Sequence, residues 1–162
     1  MKEQFLQQYD REHAITMRVL RAYPTDKLDL RPHAMCKTAR DLAWIFVVER
    51  GLGTMVFNRM FPPPSGSGSM SPPDSWDDLL AGLEKAHADF RDLVESTSDE
   101  GLMEKVTFFT GPKQMGEITR TDLIWFLLYD QIHHRGQFSI YLRMAGGKVP
   151  SIYGPTADEP WT

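Results

Sequence analysis

The stretch Thr119 to Met144, TRTDLIWFLLYDQIHHRGQFSIYLRM, carries the longest apolar run of the chain and its only adjacent histidines. Thr119 stands three residues before Asp122 in the form of a capping box, and Gly146-Gly147 supplies a stop, so the pattern predicts one helix of about seven turns. At about 100° per residue, Leu123, Phe126, Leu127, Asp130, His134, Gln137, Tyr141 and Met144 share one sector. Polar side chains therefore interrupt an apolar stripe. An uncompensated buried carboxylate costs several kcal/mol, comparable to the net stability of a domain, so Asp130 needs a partner. The i, i+4 spacing brings Asp130 and His134 to one point, which serves either a hydrogen-bonded core pair or two ligands of a divalent metal. His133, at the edge of the sector, can replace or second His134.

Three further amphipathic segments supply neighbours for this helix. Residues 2–22 place Leu6, Tyr9, His13, Thr16, Met17 and Leu20 on one face, and Pro24 ends the pattern. Residues 38–60 align Leu42, Ile45, Val48, Glu49, Leu52 and Val56, with Arg50 outside that face, so Glu49 is a second carboxylate on an inward stripe. Residues 75–96 turn Trp76, Leu79, Leu83, Ala86, Phe90 and Leu93 inward and leave His87 off centre. With 119–144 these make an all-α antiparallel four-helix bundle. The Pro/Gly/Ser-rich segment 62–73 reads as a mobile surface loop, with a lid over a site as the alternative. Residues 105–118 read as a small ribbon or structured loop, and an extended C-terminal tail packs through Val149, Ile152, Tyr153 and Trp161.

A chain of 162 residues is expected to fold as one domain, 1–162, burying about 70% of its unfolded surface. The net charge of −4, with no basic patch, excludes bulk affinity for nucleic acid or anionic lipid. No run reaches the ~18 apolar residues of a membrane span, and the amphipathic N-terminus has no leader-like apolar core. The single cysteine, Cys36, forms no internal disulfide. Together these features point to a cytoplasmic protein. Trp125, Leu128, Ile132 and Ile140 lie outside the polar sector of the last helix. They point either to a homodimer interface or to contacts with the tail and the 105–118 segment.

The run HHRGQFSIYLRMAGGKVPSIYGPTADE, with ARDLAWIFVVE on the second helix, resembles the DinB-like (DinB/YfiT) four-helix family. The likeness in helix order covers nearly the whole chain. It implies a metal site of three histidines, one on the second helix and two spaced i, i+4 on the fourth, with some members acting as thiol-dependent transferases or isomerases. His134, just before Arg135-Gly136-Gln137, matches the last of these. Asp130 stands at the preceding position, and Ile45, after Ala43-Trp44, occupies the second-helix position. Glu49, one turn later on the same face, is the nearby acid that can substitute.

Two functions follow. In the first, Glu49, Asp130 and His134 hold a divalent ion, zinc or nickel first and manganese or iron next, with His13 or His133 in reserve. The ion serves a transferase, isomerase or hydrolase acting on a small molecule or a low-molecular-weight thiol. In the second, the same groups form a hydrogen-bonded network in a non-catalytic bundle that works through homodimerisation. An open position beside the ligands favours the first, and a site sealed by apolar side chains the second.

Overall fold

The computed structural model describes residues 1–61 and 71–162. Four long helices carry the fold: α1 (Lys2–Arg21), α2 (Ala39–Phe57), α3 (Trp76–Ser96) and, after the short α4 (Asp99–Met103) and a hairpin of β1 (Lys105–Gly111) and β2 (Gln114–Thr119), α5 (Arg120–Met144). Side-chain caps set the helix starts. Thr38, Ser75 and Thr119 each accept a hydrogen bond from the backbone N–H three residues on, and the Asp122 carboxylate accepts one from the Thr119 backbone N–H, completing the capping box. The second helix stops at Phe57, before the expected end at residue 60. Arg59 takes a left-handed conformation, φ 58°, and the Arg120 guanidinium donates to the open Phe57 carbonyl at 2.8 and 3.0 Å.

Helices α1 and α2 each pack against both α3 and α5. The expected four-helix bundle forms, with mixed directions. Phe5 and Tyr9 from the start of α1 share an apolar cluster with Val56 and Phe57 from the end of α2, Phe90 and Val94 from the second half of α3, and Leu123 and Leu127 from the start of α5. The opposite halves meet in a second cluster, which includes Leu20, Leu42, Phe46, Leu79, Leu83, Phe138 and Leu142. So α1 runs antiparallel to α3, and α2 to α5, while α2 and α3 run the same way. The 58–75 connection therefore links opposite ends of the bundle. Most of the segment expected to be a mobile loop or lid, 62–70, lies outside the described residues.

The segment after α4 is the expected small ribbon. Strands β1 and β2 pair antiparallel with Val106 opposite Ile118 and Phe108 opposite Gly116, and Val106 and Phe108 alternate into the core. The buried stripe of α5 is rotated from the expected sector toward Ile124, Leu128, Gln131, Arg135, Phe138 and Leu142, while Phe126 and Met144 are about half exposed. Arg135 lies on that stripe. It is 2% exposed because Glu12 pairs with it at 2.6 Å, the Glu12 carbonyl accepts from it at 3.1 Å and the Tyr153 hydroxyl at 2.5 Å, so the cation turns inward. The same rotation buries Leu128. Trp125 and Ile132 pack against the core within the chain, Trp125 edge-on to Phe5, and of the four residues that suggested a homodimer only Ile140 stays largely exposed.

Two glycines of α2 test this packing with opposite signs. A Cβ on Gly53 would lie 2.7 Å from Leu127 Cδ1 and 2.9 Å from Phe90 Cε2, whereas one on Gly51 meets nothing within 4 Å. Gly51→Ala is expected to stabilise by up to about 1 kcal/mol through helix propensity. Gly53→Ala should destabilise, because the overpacking cost of about 1–3 kcal/mol exceeds that gain. Urea denaturation midpoints moving in the same direction for both variants would contradict the packing.

Candidate metal centre

The two apolar clusters are separated by a polar belt to which every long helix contributes near its middle: Glu12, His13 and Thr16 from α1, Glu49 and Arg50 from α2, His87 from α3, and Gln131, His134 and Arg135 from α5. On one side of the belt Glu49 faces α5. Its Oε1 lies 3.1 Å from His134 Nε2, and Asp130 Oδ2 lies 3.7 Å from the same nitrogen. One ligand atom from each of Glu49, Asp130 and His134 falls within 4.8 Å of the other two. Two donors held at 2.0–2.2 Å by one tetrahedral ion stand roughly 3.3–3.6 Å apart, so these separations need only small adjustments to meet an ion. The centre sits at the edge of the α5 buried stripe rather than on its axis. The Asp130 side chain is 37% exposed and that of His134 18%, against 8% for Glu49.

The electrostatics follow from that gradient. Glu49 Oε2 is buried without a hydrogen-bond partner, and burial pushes the Glu49 carboxyl up to about 7. The hydrogen bond to Glu49 is the main cause that raises His134 to about 9, against the effect of burial. A buried acid with one oxygen free of hydrogen bonds, beside an imidazole and a second carboxylate, is a donor set that could hold a cation. Gln137 orients the ring from the other side. Its Oε1 accepts from His134 Nδ1 at 3.0 Å, and its Nε2 donates to His133 Nε2 at 2.9 Å, so His134 Nε2 is the nitrogen turned to the centre.

The structure brings Glu49, Asp130 and His134 together and places the two reserve histidines elsewhere. His133 lies on the exposed flank of α5, held by Gln137. His13 belongs to a separate cluster between α1, α2 and α3. There its Nε2 meets Glu84 Oε2 at 2.8 Å, its Nδ1 lies 3.4 Å from Arg50 Nη2, and its ring stacks on His87 with centroids 3.8 Å apart. His87, off the centre of its stripe in the sequence, is nonetheless buried and bonds Asp10 Oδ1 at 2.9 Å. Arg50 is buried as well, bonded to the Phe46 carbonyl and the Tyr9 hydroxyl, although the periodicity of α2 set it outside the inward face. Burial is the largest cause lowering both histidines, His87 to about 4, with the Arg50 charge adding to it. His13 is thus spent on neutral packing beside a buried cation.

A cavity of about 400 Å³ opens from His134 along the seam of α2 and α5. Leu42 and Ile45 line it from α2, and Gln137, Ile140 and Tyr141 from α5, with Cys36 and Lys37 at the far end. Ile45 thus borders the centre as hydrocarbon, one helical turn from Glu49. Cys36 and Lys37 precede the helix and carry no periodic signal.

The DinB family profile matches residues 1–161, and the chain belongs to the DinB family. It is 27% identical to the uncharacterized protein YrdA of Bacillus subtilis over 158 residues, covering 97% of this chain and 90% of that protein. Its fold matches a DinB-like protein of Bacillus cereus with a TM-score of 0.77 at 24% identity, covering 93% of this chain and 97% of the other. It also matches YfiT of Bacillus subtilis, described as a probable metal-dependent hydrolase with an unusual four-helix bundle topology. There the TM-score is 0.66 at 14% identity, over 91% of this chain and 89% of YfiT.

A pH dependence follows from the Glu49–His134 pair. The folded imidazole keeps its proton to about 9, whereas the unfolded one loses it near 6.5, so between these values the native state binds more protons. Its contribution is complete below pH 6.5 and is lost as pH rises to 9. Metal-free protein should therefore lose stability to urea from pH 6.5 to 9, and Glu49→Gln should flatten that slope. An unchanged slope in the variant would contradict the pairing.

Proposed function

We propose that this chain is a divalent-metal-dependent enzyme of hydrolase or thiol-dependent transferase type, in which Glu49, Asp130 and His134 are the protein ligands. The observation that carries the reading is the buried, unpartnered Glu49 Oε2 beside the other two donors. One imidazole and two carboxylates form a mixed N/O set suited to zinc, nickel, manganese or iron, with zinc or nickel favoured. A divalent ion held there supplies Lewis acidity, polarising a substrate oxygen or acidifying a water or thiol that it binds.

The residues divide the remaining work. Glu49, sunk in the α2–α5 seam, supplies negative charge where water screens it least. Asp130, more exposed, can move toward an ion or release a position to substrate. Gln137 fixes the ring of His134, and the cavity beside that ring leaves room for a small molecule. This open side favours the enzymatic reading over a non-catalytic bundle acting through homodimerisation. The description of YfiT as a probable metal-dependent hydrolase supports the same class.

Protein purified without a nickel column and stripped of metal should gain thermal stability on addition of zinc. At a concentration a hundred times the dissociation constant the gain is about 2.7 kcal/mol, or several degrees. His134→Ala should abolish the gain while leaving the helical circular dichroism largely unchanged. Gln137→Leu should weaken zinc binding by about 10- to 100-fold, as loss of a ring-orienting partner does. Melting curves unmoved by zinc, nickel, manganese and ferrous iron alike would overturn the proposal.

A further inference from the structure

The seam between α2 and α5 constrains what the centre acts on. Because these helices run antiparallel, Glu49 and His134 face each other at one end of the seam, and Leu42 and Tyr141 at the other. Seven residues at a rise of 1.5 Å make the distance between these levels roughly 10 Å. Between them the wall is hydrocarbon: Ile45 from α2 and Ile140 from α5. Its polar groups make few demands on a ligand, since the Tyr141 hydroxyl already donates to the Lys37 carbonyl at 3.0 Å and lies against the Cys36 thiol.

We infer that the substrate is a small molecule with an apolar arm, its polar, metal-binding head at Glu49, Asp130 and His134 and its arm lying along Ile45, Leu42 and Ile140 toward Cys36. The position of the head rests on the metal-centre proposal, whereas the placement of the arm rests on the cavity alone. A polar arm of the same length would exchange its hydration for a wall that is mostly hydrocarbon, and each unanswered group would cost affinity. An apolar arm gains by its transfer from water, and the length of the seam sets its extent at about six to eight carbon atoms.

The chain carries its own reporter. Cys36 is its single cysteine, half-buried at the far end of the cavity, so an arm of full length covers its thiol and a short one does not. With zinc-loaded protein, n-alkyl hydroxamic acids from two to ten carbons serve as probes. Binding should tighten by about three- to fourfold per methylene up to six to eight carbons and then level off. Alkylation of Cys36 by iodoacetamide, followed by intact-mass spectrometry, should slow at least tenfold with the eight-carbon probe at saturation and be unchanged with acetohydroxamate. In Ile140→Asp, which puts a charge on the wall of the arm, the gain with chain length should shrink.

In metal-free protein 1-octanol, which has the arm without the head, should still slow Cys36 alkylation, and 1,8-octanediol should do so much less. The two proposals therefore fail separately. Failure of zinc-loaded protein to bind acetohydroxamate would count against the metal reading, with the alcohols still deciding the arm. Binding independent of chain length, or alkylation equally fast with and without octanol, would overturn the apolar-arm inference.

Discussion

The ion pair between Arg135 and Glu12 is the constraint around which the bundle is arranged. A guanidinium 2% exposed in the middle of the longest helix is tolerable only where its charge and donors are answered. The Glu12 carboxylate and carbonyl of α1 answer it, and the tail contributes Tyr153, whose hydroxyl also donates to Glu12 at 2.6 Å. This network is consistent with the rotation of α5 that its buried apolar residues also show. The rotation in turn sends Phe138 and Leu142 into one apolar cluster and Leu128 into the other, and leaves Asp130 and His134 on the flank that meets α2. Had the helix turned to centre Asp130 and His134 in the core, as its apolar spacing suggests, both would be cut off from any small molecule. The buried arginine therefore places the candidate ligands at the boundary between core and solvent, where a metal and a substrate can both reach.

Across the belt, Glu49 and Arg50 use consecutive positions of α2 to point in different directions. Glu49 turns to α5 and the candidate metal centre. Arg50 turns to α1, where Tyr9 and His13 take its donors, and the Phe46 carbonyl of α2 itself takes another. Its positive charge helps hold the stacked His13 and His87 neutral, while Glu84 and Asp10 receive their outer nitrogens. A negative pole and a positive pole thus lie back to back in the middle of one helix, each with its own partners. Among the described residues one group has metal-binding spacing, and of the five histidines in the chain it holds His134.

Much of this was legible in the sequence because helices advertise themselves locally. Thr119 with Asp122 marked the start of α5, Pro24 the end of α1, and the i, i+4 pair Asp130–His134 a point of convergence. The polar Glu49 among Ile45, Leu52 and Val56 revealed the facing carboxylate. What was not legible depended on partners distant in sequence. Arg135 and Arg50 look like solvent-facing residues until Glu12, Tyr153, Tyr9 and His13 are brought to them. With those arginines inside, periodicity alone set the α5 stripe too far toward Phe126 and Met144. His13 was correctly read as inward, but its neighbour proved to be His87, whose distance from the centre of the α3 stripe hid their stacking. The cavity was invisible for the same reason, since one wall comes from α5, another from α2 and its far end from the segment before α2.

The proposed function depends on one imidazole and two carboxylates, on α2 and α5, forming a single metal centre. X-ray absorption spectroscopy of the zinc-loaded protein tests it most directly. The expected result is a first shell of oxygen and nitrogen at about 2.0–2.2 Å, with outer-shell scattering from a single imidazole and none of it retained in His134→Ala. A sulfur scatterer near 2.3 Å, or scattering from two or more imidazoles, would instead place the ion at Cys36 or the His13–His87 pair and contradict the account.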